Sequence, residues 1–166
     1  MWMDAIKRIE QAALSPIYGL AMWLRSSMWR LWRPMLMGVR VLIVCDGAVL
    51  LIRHRHGRQP WALPGGGIER YERMDEAARR EAREETGAIV RVERLLGMYE
   101  RFGEGISNYV AVFICAPLSE PHPPRSLEIA EARFFPLDRL PDGADSGTRR
   151  RIAEYLAGEQ GITRIW

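Results

Sequence analysis

At 166 residues and 48% hydrophobic content the chain can bury one sizeable core, and no linker, low-complexity tract or internal repeat divides it. The net charge of +3 is an N-terminal property, because residues 1–40 hold six Lys and Arg against two Asp and Glu while the rest hold 18 against 19. A nucleic-acid role would therefore rest on the N-terminal segment alone, without a recognisable module around it, and none is expected. Cys45 and Cys115 lie in apolar strand patterns without a CxxC spacing, so they read as buried thiols suited to a reducing cytoplasm.

Residues 1–36 differ in composition from the rest of the chain. Residues 1–37 contain four of the six Trp and six of the eight Met. On a helical wheel from Leu20 to Arg33, Leu20, Leu24, Met28 and Leu31 share one side, and Arg25, Arg30 and Arg33 the other. Trp23 and Trp32 fall at the boundaries, the form of an interfacial helix, although Trp29 lands among the arginines. A membrane surface, a second subunit and the chain's own domain all suit such a face, so the chain is expected in the cytoplasm, with peripheral membrane attachment left open. The uncharged run Gln11 to Leu24 has 14 residues and includes Pro16, short of the roughly 20 needed to cross a bilayer. The Arg-rich stretch after it and the lack of a small-x-small site argue against an export signal.

Two β-branched-rich runs, Val39–Val44 and Ala48–Ile52, flank Asp46-Gly47 and predict a hairpin. Trp61-Ala62-Leu63-Pro64-Gly65-Gly66-Gly67 then leads through a permissive backbone into a helix. That helix carries Arg80-Glu81-Ala82-Arg83-Glu84-Glu85-Thr86-Gly87, with Glu72 about two turns earlier. Glu81, Glu84 and Glu85 fall within an arc of roughly 100°. Carboxylates so clustered repel unless a cation neutralises them, and oxygen ligands without nearby Cys or His favour Mg2+ or Mn2+ over zinc. Further strands are predicted at Ile89–Val92, Ser107–Cys115 and Ala132–Phe135, and a last helix from near Ser146, with Ile152, Tyr155 and Leu156 at helical spacing. This order predicts a mixed sheet between helices.

The stretch Gly66 to Ala88 resembles the Nudix box: Gly66, five residues, Glu72, seven residues, then Arg80-Glu81-x-x-Glu84-Glu85-x-Gly87. Seven fixed residues over 23 positions make the match specific, and a plain amphipathic helix would not require the glycines at both ends. The two aliphatic positions of the signature hold Ala82 and Ala88. The resemblance implies an α/β/α sandwich with a mixed β-sheet over residues 37–161, preceded by the N-terminal amphipathic helical segment and followed by a tail at 162–166. It also implies metal-dependent hydrolysis of a nucleoside diphosphate derivative by attack of water on phosphorus. Glu84 and Glu85 are then expected to ligate Mg2+ or Mn2+, with Glu81 a further ligand or the general base. The Gly65 or Gly66 carbonyl is a candidate oxygen ligand, as is Glu128 from a downstream loop, preferred over Glu131. Arg80 is expected to orient the glutamates through charge-assisted hydrogen bonds, and Glu72 either to pair with Arg80 or to reach the metal through water.

Weaker features are His54-Arg55-His56-Gly57-Arg58, a basic loop that could meet phosphates, and Trp61, which could stack on a base or pack in the core. Arg149-Arg150-Arg151 reads as exposed surface. The segment Gly97–Gly105 lacks, at the expected places, the Pro associated with ADP-ribose hydrolases and the Tyr associated with dinucleoside polyphosphate hydrolases. That favours nucleoside triphosphates or small nucleotide derivatives. A membrane-bound helix would instead favour a CDP-alcohol or lipid-linked diphosphate. A Nudix-fold binding module without hydrolysis is the rival of another class, disfavoured by the intact glutamate run.

Overall fold

The computed structural model describes residues 35–55, 60–103, 106–122 and 128–166. The N-terminal helix and residues 56–58 of the basic loop lie outside the described residues. Residues 36–101 and 108–166 form one compact unit, which contains the two helices found among the described residues and the bulk of the sheet.

The strands are β1 (Met35–Cys45), β2 (Ala48–His54), β3 (Trp61–Ala62), β4 (Val90–Gly103), β5 (Ile106–Pro117), β6 (Ile129–Pro136) and β7 (Ile162–Ile165). The helices are α1 (Met74–Thr86) and α2 (Ser146–Leu156). The predicted hairpin forms as expected. Val44 pairs with Val49 and Cys45 with Ala48 across a turn in which Asp46 and Gly47 both take positive φ, 47° and 75°, the combination a two-residue turn between twisted strands needs. The sheet runs β3-β2-β1-β5-β4-β7, with β6 antiparallel along the other edge of β2. It is mixed, because β7 runs parallel to β4 while the β2 pairings are antiparallel.

Period-two alternation divides the core into two layers. Val39, Val41, Ile43 and Leu50 face Ala77, Ala78 and Ala82 of α1, together with Ala111, Phe113 and Cys115 of β5. Leu42, Val49 and Leu51 point to the opposite layer, which holds Ile152 of α2, Leu96 and Tyr99 of β4, and Phe135 of β6. Fully buried alanines on α1 let that helix sit close to the sheet, which brings its neighbouring glutamates near β1.

Several expectations need correction. The strand expected at Ile89–Val92 runs on to Gly103, and the 162–166 tail contains β7, paired through Gly97↔Ile162 to Glu100↔Ile165. Parallel pairing between segments so far apart leaves no local signal. Cys115 is buried, but Cys45 at the hairpin end is only half-buried. Arg151 is not surface: it is 1% exposed, stacks 3.8 Å from the Tyr99 ring centroid and pairs with Glu154 at 2.8 Å. Glu154 also accepts the Tyr99 hydroxyl at 2.8 Å and Arg164 at 3.2 Å, so one buried carboxylate ties α2 to β4 and β7. Burial first, then this carboxylate, holds the Tyr99 hydroxyl protonated far above its ordinary range. Glu154→Gln strands the Arg151 cation in the core and is expected to cost about 3 kcal/mol, measured as a lower urea midpoint with an unchanged slope.

Candidate active site

The segment after β3 builds one wall of the site. At the hairpin end β1 pairs with β2, and farther back it pairs with the glycine loop: Val41 N–H donates to Pro64 O at 2.8 Å, Val39 N–H to Gly66 O at 2.9 Å, and Ile68 N–H to Met37 O at 3.1 Å. Pro64–Ile68 is thereby pinned along β1. The start of α2 braces the same loop, since Thr148 Oγ1 accepts the Leu63 N–H at 3.1 Å while Asp145 caps the helix through the Thr148 N–H at 3.0 Å.

Helix α1 supplies the other wall. Glu76 accepts the Arg73 N–H at 3.2 Å at its start, and Gly87 ends it in the left-handed region at φ 70°. Gly66 sits against the Glu81 carboxylate so closely that a Cβ there would lie 2.6 Å from Oε1, which explains the glycine at the head of the motif.

Arg80 is the hub. Its Nε donates to Glu72 Oε1 at 2.8 Å and its Nη2 to Glu72 Oε2 at 2.9 Å, a two-pronged pair. Nη1 reaches Glu81 Oε1 at 2.7 Å and Glu84 Oε2 at 3.2 Å, and Nη2 also donates to Gly67 O at 2.9 Å. Of the two expectations for Glu72, the structure therefore places it on Arg80. That hydrogen bond holds the Glu72 carboxyl below its ordinary range, and the surrounding carboxylates hold Arg80 charged.

Glu85 stands apart from this hub. Its Oε2 accepts the Gly65 N–H at 2.6 Å. Burial, against which the Gly65 hydrogen bond and Arg40 work, raises its carboxyl to about 7, with repulsion from Glu81 and Glu128 adding to the rise. Glu128, exposed just before β6, is thus brought within electrostatic reach of Glu85. Glu131 is not, because it pairs with Arg53 at 2.7 Å across β2 and β6. The Gly65 carbonyl accepts Arg40 Nη1 at 2.5 Å, and the same nitrogen donates to Leu63 O at 3.2 Å. Among the described residues no three carboxylates, imidazoles or thiols close on one point: Glu81 and Glu84 turn to Arg80, and Glu85 to Gly65. The donors within reach are nonetheless all oxygen, and the largely buried Glu85 carboxylate accepts from a backbone N–H, a donor set that fits a hard divalent cation.

Arg40, which holds the Gly65 carbonyl, is also a wall of a cavity of about 320 Å³ whose other walls include His54, Arg101, Asn108, Asp145 and Trp166. Sequence reasoning places His54 near phosphates but misses the others, since β1, β5 and the chain end meet only in the folded sheet. Arg40 carried one available signal, a cation in the middle of a β-branched strand. Trp61 packs edge-on against Phe135 at 4.7 Å, with Arg53 and Arg133 near its faces, so it serves the core.

A family model described as the NUDIX domain matches residues 35–156. The ADP-ribose pyrophosphatase of Methanocaldococcus jannaschii is 34% identical over 137 residues, covering 80% of each chain. The putative mutator protein MutT4 of Mycobacterium tuberculosis is 33% identical over 108 residues, 60% of this chain, which spans only 42% of that relative's length. Among solved structures, the MutT NUDIX hydrolase from Burkholderia pseudomallei aligns with a TM-score of 0.64 at 27% identity, over 73% of this chain and 98% of that one. With this match over most of its length, and with the motif's Arg80 and glutamates gathered beside the glycine loop, the chain belongs to the Nudix family.

The raised Glu85 pKa has a stability consequence of definite sign. An acid whose folded pKa of about 7 exceeds its ordinary 4.5 binds its proton more tightly when folded, so stability falls as pH rises through that window and stays low above it. With divalent cations chelated, unfolding free energy is expected to drop by roughly 2 kcal/mol between about pH 4.5 and 7, allowing for the partial exposure of this carboxyl. Glu85→Gln should flatten that limb of a urea-denaturation pH series; an unchanged slope would contradict the assignment.

Proposed function

We propose that the protein hydrolyses the pyrophosphate bond of a small nucleoside diphosphate derivative. The observation that carries this reading is the continuity from carboxylate to cavity: Glu85 holds the Gly65 N–H, Arg40 holds the Gly65 carbonyl, and Arg40 is itself cavity wall. A diphosphate in that cavity would meet the guanidinium groups of Arg40 and Arg101 and the imidazole of His54. The side of the site away from the cavity is fixed by Arg80.

Glu84, Glu85 and the Gly65 carbonyl would hold Mg2+ or Mn2+, with Glu81 and Glu128 as further oxygen donors. When bound, the cation neutralises charge developing on the phosphoryl oxygens and favours deprotonation of water. The chain's own contribution is placement. Arg80 fixes Glu81 and Glu84 in one orientation, so little reorganisation is needed as water approaches phosphorus. Glu81, 8% exposed and held by Arg80, is suited to orienting that water or taking its proton. Glu72 keeps Arg80 in place and does not itself face the reaction.

ADP-ribose is the first substrate to test, because the relative aligned over 80% of its length bears that activity in its name. Nucleoside triphosphates form the second reading, favoured by the lack of the ADP-ribose-associated Pro in Gly97–Gly105. The test is monophosphate and phosphate release from ADP-ribose, nucleotide sugars, nucleoside triphosphates and CDP-alcohols, with Mg2+, Mn2+ or chelator. Turnover of one class is expected, abolished by chelator and lowered at least about 100-fold by Glu84→Gln or Glu85→Gln, losses of the size seen when groups stabilising transition-state charge are removed. No turnover by folded, cation-binding protein would favour a binding module, and full activity in both variants would remove the proposed site.

A further inference from the structure

Arg40 stands in two structures at once. It is a wall residue of the cavity, and its Nη1 donates to Gly65 O at 2.5 Å and to Leu63 O at 3.2 Å. The Gly65 carbonyl belongs to the same residue whose N–H Glu85 holds, and Arg40 also lowers the electrostatic cost of the Glu85 charge. A divalent ion on the second lone pair of the Gly65 carbonyl would lie against the Arg40 guanidinium, and the two positive charges would repel. The two cations therefore compete for one oxygen and for the same excess of negative charge.

We propose that Arg40 is a positioning residue that stands in for the divalent cation in the free protein. Its guanidinium holds the Gly65 carbonyl until an ion takes that oxygen, and then turns to a phosphate of the nucleotide in the adjoining cavity. This rests on the reading of Glu84, Glu85 and Gly65 O as cation ligands. Displacement is short-range, because the guanidinium already borders both places. Ion binding and nucleotide binding are coupled as a result: each favours the arrangement in which Arg40 has left Gly65, so each tightens the other. The ion site is kept weak until substrate arrives, which a site of four glutamates would not otherwise be.

Removal of the competitor has an unusual signature, a gain of ion affinity together with a loss of substrate affinity. The experiment is Mn2+ titration of the full chain by calorimetry, without nucleotide, for wild type, Arg40→Gln and Arg40→Lys, followed by steady-state kinetics on the best substrate. Arg40→Gln is expected to bind Mn2+ about tenfold more tightly than wild type while its KM for the nucleotide rises about tenfold. Arg40→Lys keeps the charge and one donor, and is expected to return ion affinity to the wild-type value. A merely structural Arg40 would give weaker ion binding in both variants. Equal or weaker Mn2+ binding by folded Arg40→Gln, in a protein whose wild type turns over nucleotides, would overturn this proposal alone. Absence of both ion binding and turnover in wild type and variant would overturn the hydrolase reading along with it.

Discussion

The structure depends on the containment of negative charge. Glu72, Glu81, Glu84 and Glu85, on one helix and its entry, would push apart if their charges stood unopposed, against the apolar packing on the other face of α1. Arg80 contains three of them, clamping Glu72 with two prongs and reaching Glu81 and Glu84 with a third nitrogen. An arginine is needed there because only a planar fork of donors can serve three carboxylates and the Gly67 carbonyl together. Glu85, which turns to the Gly65 N–H instead of Arg80, keeps a raised pKa chiefly because it is buried.

The glycine loop translates the helix's charge into a site. It is held from β1 by backbone hydrogen bonds, from α2 through Thr148, and from α1 through Glu85. Each tether comes from a different element. The loop cannot shift without disturbing both core layers, so the polar edge of the site inherits the rigidity of the packed interior. The Arg151 and Glu154 pair performs a similar task at the far end of α2, joining it to β4 and β7 with buried charge where side chains of the core leave off.

Motif and hairpin were legible in the sequence because each is local. Asp46-Gly47 defines its own turn, and the spacing from Gly66 to Gly87 fixes where a helix must start, which face carries acid and where it ends. The role of Arg80 could be read from its place between acids one and four residues away. Other features depended on contacts that no window of sequence contains. Strand β7 is four residues long and pairs in parallel with a strand some sixty residues earlier, so only the fold reveals it. Arg151 looked like one of three surface arginines, and its burial follows from facing Tyr99 across the layer. Arg40 interrupts an aliphatic strand, a sign of function visible in advance, but its partners on the glycine loop are more than twenty residues away. The cavity walls come from parts of the chain scattered between Arg40 and Trp166, and for that reason the substrate is less legible than the chemistry.

The central claim is that these carboxylates direct water onto the phosphorus of a diphosphate bordering Arg40. The most direct test is hydrolysis of the preferred nucleotide in 18O-enriched water, followed by mass spectrometry of both phosphate-bearing products. The account requires one 18O atom per turnover in one of the two products, only when divalent cation is present, and labelled product formed at least about 100-fold more slowly by Glu85→Gln. Product formation without label in either phosphate, or labelling unchanged in the presence of chelator, would contradict it.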